Sequence, residues 1–275
     1  EYEVGGVQVN VIPKDGSNSF KGYFFSTYTN NSLQSDNLTS GLRARGLSNV
    51  NTVEKIWDVS GALGGPLKQD TLWFYTTQRS WGNSNFVAGA YYSKDPTAWT
   101  YTPDLTRPAI DDNRNRHHNL RLTWQASPKN KISASYDTQK NCVCHVSLTS
   151  LFAPEAVVAW IFGPPNYVMQ TTWNYPATNK LLFEAGATTL ISDFGIRPTE
   201  GVMSAAQISV LEASTNVRYR AAADSFRYGN KISDQSNQRF SVSYVTGSHA
   251  FKTGFQMMEG WRNHERLPNG DMDYT

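Results

Sequence analysis

Thiol and imidazole groups gather in one short stretch of the chain and could hold a metal ion. Cys142-Val143-Cys144-His145 supplies two thiols and an imidazole, and His117-His118 precede it by about 25 residues. A hairpin that turns near Lys129 would set Asn141 opposite His117 and bring the two groups to one end of the hairpin. Thiolates and imidazoles are ligands of zinc and copper. A disulfide is disfavoured here, because the two cysteines are only two residues apart.

The alternative is a loop whose cysteines only pack or stay reduced. The sequence fixes neither the ligand geometry nor the partners that would orient the ligands. We therefore assign no metal, and metal binding by Cys142, Cys144 and His145 with His117 stays open.

Other patterns that could support catalysis are incomplete. Gly61-Ala62-Leu63-Gly64-Gly65 lacks the Gly-Lys-Ser/Thr ending of a phosphate-binding loop. His249 and His264 have no nucleophile or acid at a recognisable spacing. We predict that the protein is not an enzyme and needs no cofactor.

Alternating apolar and polar residues predict strands along most of the chain. The segment 119–126, for example, alternates Leu120, Leu122 and Trp124 with Arg121 and Thr123. After a first alternating segment at 7–13, nine strands are predicted at approximately 20–28, 56–64, 71–81, 116–126, 131–139, 167–175, 180–191, 237–245 and 250–260.

The connections between these strands alternate between about 4–7 and about 25–45 residues. The short ones are 65–70, 127–130, 176–179 and 246–249, and the long ones are roughly 29–55, 82–114, 140–166 and 192–236. Tight turns at one rim and large loops at the other are typical of a transmembrane β-barrel. We predict an all-β, antiparallel up-and-down barrel. Nine strands do not close an even-numbered barrel, so the chain is expected to be a fragment.

The composition is compatible with this class. Charged residues make up 17% of the chain, and aromatic residues 13%. No apolar run approaches the roughly 18–20 residues of a membrane helix. The formal net charge of +2 gives no reason to expect a nucleic-acid partner. Aromatic residues near the strand ends predict two interfacial girdles: Trp73, Trp124, Tyr175, Phe183, Tyr244 and Phe251 at the short turns, and Tyr28, Trp57 and Trp81 at the opposite ends.

Each strand should present one face to lipid and the other to the lumen. The predicted lipid-facing residues are Leu122, Trp124, Ala134, Tyr136, Val242 and Tyr244. The candidate lumen-facing residues, expected to touch a plug or a substrate, are Arg121, Asp137, Glu184, Arg239 and Lys252.

The sequence also predicts the register of the hairpin formed by 116–139. Trp124 should pair with Ala134, and Arg121 with Asp137. A two-residue slip would instead set Arg121 against Ser135. Within 192–236, Met203, Gln207, Val210 and Leu211 have helix-like spacing and predict a short amphipathic helix packed on the loop's own residues, with a ligand lid as the alternative.

Three segments resemble a known family. Gly5-Gly6-Val7-Gln8-Val9-Asn10-Val11-Ile12-Pro13-Lys14-Asp15-Gly16 is similar to the end of the plug domain of TonB-dependent outer-membrane receptors. Ser19-Phe20-Lys21-Gly22-Tyr23-Phe24-Phe25 resembles the entry into their first barrel strand. Gly61–Phe74, with Gly64-Gly65-Pro66-Leu67 at its centre, resembles the second and third barrel strands of their Oar-like group, whose members carry a carboxypeptidase-regulatory-like domain before the plug. The resemblance implies that residues 1–18 end a plug and that 19–275 form part of a barrel with long extracellular loops.

The same resemblance implies a function and a location. It implies a receptor in the outer membrane of a Gram-negative bacterium, surrounded by lipid and enclosing its own plug domain. The receptor would take up a large or scarce extracellular ligand with energy from the TonB complex. Two alternatives remain: a surface adhesin or matrix-interaction barrel without active transport, and a soluble β-rich binding module.

Overall fold

The computed structural model describes residues 14–204, 206–223, 227–267, 269–271 and 273–274. Residues 1–13, which carry most of the predicted plug end, lie outside the described residues. Twelve strands are present in the described ranges: β1 (Lys21–Asn30), β2 (Thr52–Lys68), β3 (Leu72–Ser93), β4 (Pro103–Ser127), β5 (Asn130–Val146), β6 (Val158–Pro176), β7 (Leu181–Pro198), β8 (Ser209–Glu212), β9 (Val217–Tyr219), β10 (Gly229–Thr246), β11 (His249–His264) and β12 (Asp273–Tyr274).

Nine of these strands form one antiparallel sheet in the order β1-β2-β3-β4-β5-β6-β7-β10-β11. All nine strands predicted within 20–260 are confirmed, and the up-and-down antiparallel arrangement is confirmed with them. Most strands are longer than predicted at the end that leads to the long loops; β4 begins at Pro103, not near 116. Their extensions contain many polar residues and keep their backbone pairing, so alternation of apolar residues alone could not reveal them.

The short connections all lie at one end of this sheet, as predicted. Between β4 and β5 the turn is tighter than expected, because Ser127 pairs with Asn130 and only Pro128 and Lys129 remain unpaired. A register shift between Gln125 and Ser127 accompanies the turn. At the other end, the long connections leave the sheet.

Between the short turns and the long loops, the sheet exposes apolar side chains and buries polar ones. Leu122 and Trp124 on β4 are 38% and 47% exposed, whereas Thr123 between them is 2% exposed. Ser133 and Ser135 on β5 are also buried. A water-soluble sandwich buries its apolar face and exposes its polar face. This sheet does the reverse, so one of its faces has the apolar character of a lipid-facing surface.

The apolar cores lie among and beside the long loops. Val157, at the end of 147–157, packs with Val87, Ala90, Ala109 and Leu148. Two neighbouring clusters are formed by Val146, Val158 and Ala222 and by Ala153, Val210 and Tyr219. Here the loop cap means residues 94–102, 147–157 and the described part of 199–228. These loops pack against one another and do not extend separately into solvent.

A small sheet in the order β12-β8-β9 belongs to the same region. The predicted amphipathic helix is wrong, because Val210 and Leu211 lie in β8, where pairing with β9 replaces helical hydrogen bonds. The described helical segments are short: α1 (Ser40–Ala44) and the 3-10 turns Asn31–Leu33, Pro154–Ala156 and Asn269–Asp271. In the described ranges, no helix is long and apolar enough to cross a membrane.

Candidate functional site: the polar face and the loop cap

Strand register places the five candidate lumen residues on one face of the sheet, called here the polar face. Arg121 pairs with Ser135, which lies two residues from Asp137 on the same side of β5. The same alternation, followed through β6, β7, β10 and β11, sets Glu184, Arg239 and Lys252 on that face. The six predicted lipid-facing residues lie on the opposite, apolar face.

The predicted pairing of Arg121 with Asp137 is wrong, because the two-residue turn shifts the hairpin by two positions. Arg121 lies opposite Ser135, and Trp124 lies opposite Ile132, not Ala134. Arg121 Nε donates instead to Asp15 Oδ1 at 2.5 Å. Asp137 Oδ2 contacts His117 Nε2 at 2.6 Å and accepts from Asn119 Nδ2 at 3.2 Å.

Asp15 is the point at which the segment before β1 is attached to the sheet. Besides Arg121, Thr123 Oγ1 donates to Asp15 Oδ1 at 3.0 Å, and Lys131 Nζ lies 3.2 Å from Asp15 Oδ2. Three donors from β4 and β5 therefore converge on one carboxylate. Asp15 was missed as a site residue, although the polar run that contains it was visible after the alternating segment 7–13.

Asn18 and Gly16 extend the same attachment toward the short-turn end. Asn18 Oδ1 accepts from Trp73 Nε1 at 2.7 Å and from the Asp70 amide at 3.0 Å. A Cβ at Gly16 would lie 2.4 Å from the Phe74 carbonyl oxygen, so this close approach requires glycine. Residues 14–18 thus lie across β3, β4 and β5 on the polar face.

Glu184, Arg239 and Lys252 form a third group on the polar face, after those of Arg121 and Asp137. Glu184 Oε2 accepts from Lys252 Nζ at 2.9 Å and from Ser241 Oγ at 3.3 Å. A Cβ at Gly186 would meet Arg239 Nε at 2.9 Å, so Gly186 lets the Arg239 side chain lie across the sheet. These three charged residues line an open groove of about 430 Å³ beside β11. The structure thus divides the five candidates among three separate groups.

The predicted aromatic girdles are partly present on the apolar face. Ring contacts at 5.8–6.4 Å cross four neighbouring strands through Trp173, Tyr175, Phe183, Phe240 and Phe255. At the other level, Trp57 lies over Gly82, and Tyr28 is its partner on β1. Trp73 and Trp81 lie on the polar face instead, which their positions near strand ends could not show.

The cysteine cluster differs from the prediction. Cys142 and Cys144 form a disulfide, with Cα atoms 5.1 Å apart. The nearby register shift of β5 against β6, between Val143 and Val146, marks an irregular strand that brings the two cysteines close enough. The disulfide removes both thiolates as metal ligands. Asn141 lies opposite Asn115, not His117. Within the described ranges, no group of three or more His, Cys, Asp or Glu side chains could hold a metal ion.

His145 belongs to an ionic group around the buried carboxylate of Asp112, at the long-loop ends of β4 and β5. Its Nδ1 lies 2.8 Å from Asp112 Oδ1, and Arg114 Nη2 lies 2.8 Å from Asp112 Oδ2. Burial raises the pKa of the Asp112 carboxyl, but the imidazole and guanidinium outweigh burial and hold that pKa below its usual value. The group connects β4 to β5 at the base of the loop cap.

Hydrogen bonds donated by Gln207 and Arg220 join two of the loops of the cap, 94–102 and 199–228. Gln207 Nε2 donates to the carbonyls of Pro96 at 3.0 Å, Gly201 at 2.9 Å and Arg220 at 2.7 Å. The Arg220 guanidinium donates to the Thr97 carbonyl and lies 4.1 Å from the centre of the Trp99 ring. A packed cap of this kind holds its exposed residues in a fixed arrangement, as a ligand-binding surface requires.

The cap also buries a carboxyl group. Glu155, in the turn Pro154–Ala156, is 1% exposed. Burial raises the pKa of this carboxyl above its ordinary value. The neighbouring Tyr101 is half-buried, and this burial raises the pKa of its hydroxyl to about 12.

A comparison with known proteins gives a partial match. The chain is 26% identical over 111 residues to the protein described as TonB-dependent transporter Oar, from Myxococcus xanthus. The match covers 40% of this chain and 9% of that protein, so this chain spans only a small part of its relative's length. No family model matches, and no solved structure matches significantly. The similarity supports a distant relationship to TonB-dependent receptors.

Proposed function

We propose that this chain forms part of the wall and extracellular loops of a TonB-dependent outer-membrane receptor that takes up a large or scarce ligand. The observation that carries the proposal is the inverted burial of an up-and-down sheet, with Leu122 and Trp124 exposed and Thr123 buried. The partial similarity to a TonB-dependent transporter supports the same class.

The two faces of the sheet suit different parts of this function. On the apolar face, the row of ring contacts lies at one level, as an interfacial girdle would. On the polar face, Asp15 and Asn18 attach the segment that the resemblance assigns to the end of the plug. Release of that segment would open the lumen, and the loop cap would capture the ligand. No covalent chemistry is required.

Thiol labelling of intact cells tests the location and orientation of the full-length protein. In a Cys142→Ser, Cys144→Ser background, Thr215→Cys lies in the exposed turn between β8 and β9, and Lys129→Cys lies in a short turn. An impermeant reagent should label the first and spare the second. Labelling of Lys129→Cys alone, or of neither site while both react in lysed cells, would refute the proposed placement.

Energy coupling needs a separate measurement. Calorimetry should detect binding of a purified TonB carboxyl-terminal domain to the full-length protein in detergent. Correct labelling without TonB binding would favour a surface adhesin, and recovery of the protein in the soluble fraction would favour a soluble binding module.

A further inference from the structure

The apolar face of β4 changes character sharply along its length. From the short-turn end it presents Trp124, Leu122 and Leu120, and then His118 and Arg116. Arg116 lies about 11 residues from Ser127, and a barrel strand crosses a bilayer in about 9–11 residues. Arg116 therefore lies at the long-loop end of the apolar, membrane-spanning part of β4.

Arg116 lies directly opposite another cation. Its register partner on β5 is Lys140, and both side chains are exposed. Like charges at directly opposed positions of a sheet destabilise the pairing. On β3, the partner of Arg116 is the uncharged Ser80.

No protein carboxylate neutralises this pair in the part of the chain that the structure describes. Arg114, two residues further along β4, is different, because Asp112 Oδ2 lies 2.8 Å from its Nη2. Neither Arg116 nor Lys140 takes part in an ion pair with a described residue. Two adjacent cations without a carboxylate form a site that an external anion would complete.

A groove leads to Arg116, with apolar residues at its β1 end and the polar Gln78 and Ser80 of β3 along its course. It has a volume of about 590 Å³ and runs over the apolar face from β1 to β4. Phe24 and Val59 line its apolar part and are 76% and 41% exposed. Arg116 and His118 lie at its other end. The site thus pairs a surface for hydrocarbon with a surface for a negative charge.

We propose that Arg116 and Lys140 bind the phosphate of a membrane lipid whose acyl chains lie along this groove. The proposal rests on the membrane placement proposed above and goes beyond it, since ligand uptake does not require a lipid site. A lipid meets both halves of the site, because its phosphate neutralises the cations while its chains cover Phe24 and Val59. In the proposed orientation, this lipid belongs to the outer leaflet.

Lipid titration followed by native mass spectrometry tests the site in the full-length protein in neutral detergent. The probes are bis-phosphorylated lipid A, the same lipid without phosphates, and inorganic phosphate. The Arg116→Gln, Lys140→Gln variant should bind lipid A roughly thirtyfold more weakly, since each cation near an anionic surface contributes about fivefold. The wild type should discriminate against the dephosphorylated lipid by a similar factor.

A matched control removes the same charge from the other end of the sheet. Lys129→Gln, Lys180→Gln changes two exposed lysines of the short turns and should retain wild-type lipid binding. Unchanged binding by the Arg116, Lys140 variant, or equal weakening in the control, would overturn the proposal. So would inorganic phosphate binding as tightly as lipid A.

The folded state of each variant is checked by the shift in gel mobility on heating. The lipid titration is done in detergent and the labelling experiment in cells. A failed lipid site with correct labelling therefore contradicts only this inference, and failed labelling contradicts the placement itself.

Discussion

The Nε of Arg121 donates a hydrogen bond to Oδ1 of Asp15 at 2.5 Å, across 106 positions of the chain. Arg121 is 13% exposed at its side chain and Asp15 is 37% exposed, so the pair lies between the polar face and the segment that crosses it. Lys131 and Thr123 contact the same carboxylate. Asp15 therefore holds this segment to β4 and β5, while Asn18 holds it to Trp73 and Asp70.

A double-mutant cycle should measure the coupling between Asp15 and Arg121. We expect Asp15→Asn and Arg121→Gln to couple by about 1 kcal/mol in urea unfolding from lipid vesicles, since solvent at Asp15 screens the pair. The same cycle of Asp15→Asn with Arg239→Gln should be additive, because Arg239 belongs to a different group on β10. Zero coupling in the first cycle would show that the contact does not hold the segment.

The two faces of the sheet should respond differently to a buried charge. Leu122→Arg lies near the middle of the apolar face and should cost about 2–4 kcal/mol on folding into lipid vesicles. Gln170→Arg on β6 lies at a similar height on the polar face and should cost clearly less. Thr123 is a poor control, because it is buried and donates to Asp15. Equal costs for Leu122→Arg and Gln170→Arg would contradict the assignment of the faces.

The sequence predicted the parts of this structure that depend on local alternation. The nine strands and their short turns could be located because each strand carries its own pattern, as in Leu120, Leu122 and Trp124 against Arg121 and Thr123. The shared face of the five polar candidates followed from the same period. The register did not follow, because it depends on the length of the turn between β4 and β5. The turn is shorter than predicted, so the partner of Arg121 is Ser135 and not Asp137.

The partners of the polar residues depend on contacts between distant segments. Asp15 meets Arg121 only because residues 14–18 cross the sheet, and Gln207 joins its own loop to Pro96, which is 111 residues away in sequence. The disulfide of Cys142 and Cys144 depends on a local irregularity of β5 that no side-chain pattern records.

Glycine at position 16 should be required for the attachment of residues 14–18. Gly16→Ala places a Cβ 2.4 Å from the Phe74 carbonyl oxygen and 2.9 Å from the Trp73 Cβ, so the segment or β3 has to move. We expect a loss of about 1–3 kcal/mol in the same unfolding measurement, as for other overpacked sites. Gly41→Ala in α1 is the control, since its nearest neighbour would be 3.9 Å away and alanine favours a helix. A harmless Gly16→Ala would mean that the segment does not rest against β3 in solution.

The buried carboxyl of Glu155 should make the loop cap sensitive to pH. Its pKa is raised by burial, so the folded cap keeps a proton that the unfolded chain loses above pH 4.5. Stability is therefore greatest at low pH and falls as pH rises from 4.5 through the raised pKa. The groups around it are the hydroxyls of Ser93, Tyr92 and Tyr101 and the distant charge of Arg107.

Hydrogen exchange of peptides from 94–102, 147–157 and 206–223, corrected for the intrinsic rate at each pH, measures this effect. Glu155→Gln should protect these peptides more than the wild type at pH 7 and flatten the pH dependence, because an amide is uncharged in both states. Glu200→Gln is the matched control: its side chain is 72% exposed, and its contact with Arg107 at 3.0 Å lies at the surface. Wild-type protection that rises with pH would show that Glu155 is charged in the folded cap and has a partner there.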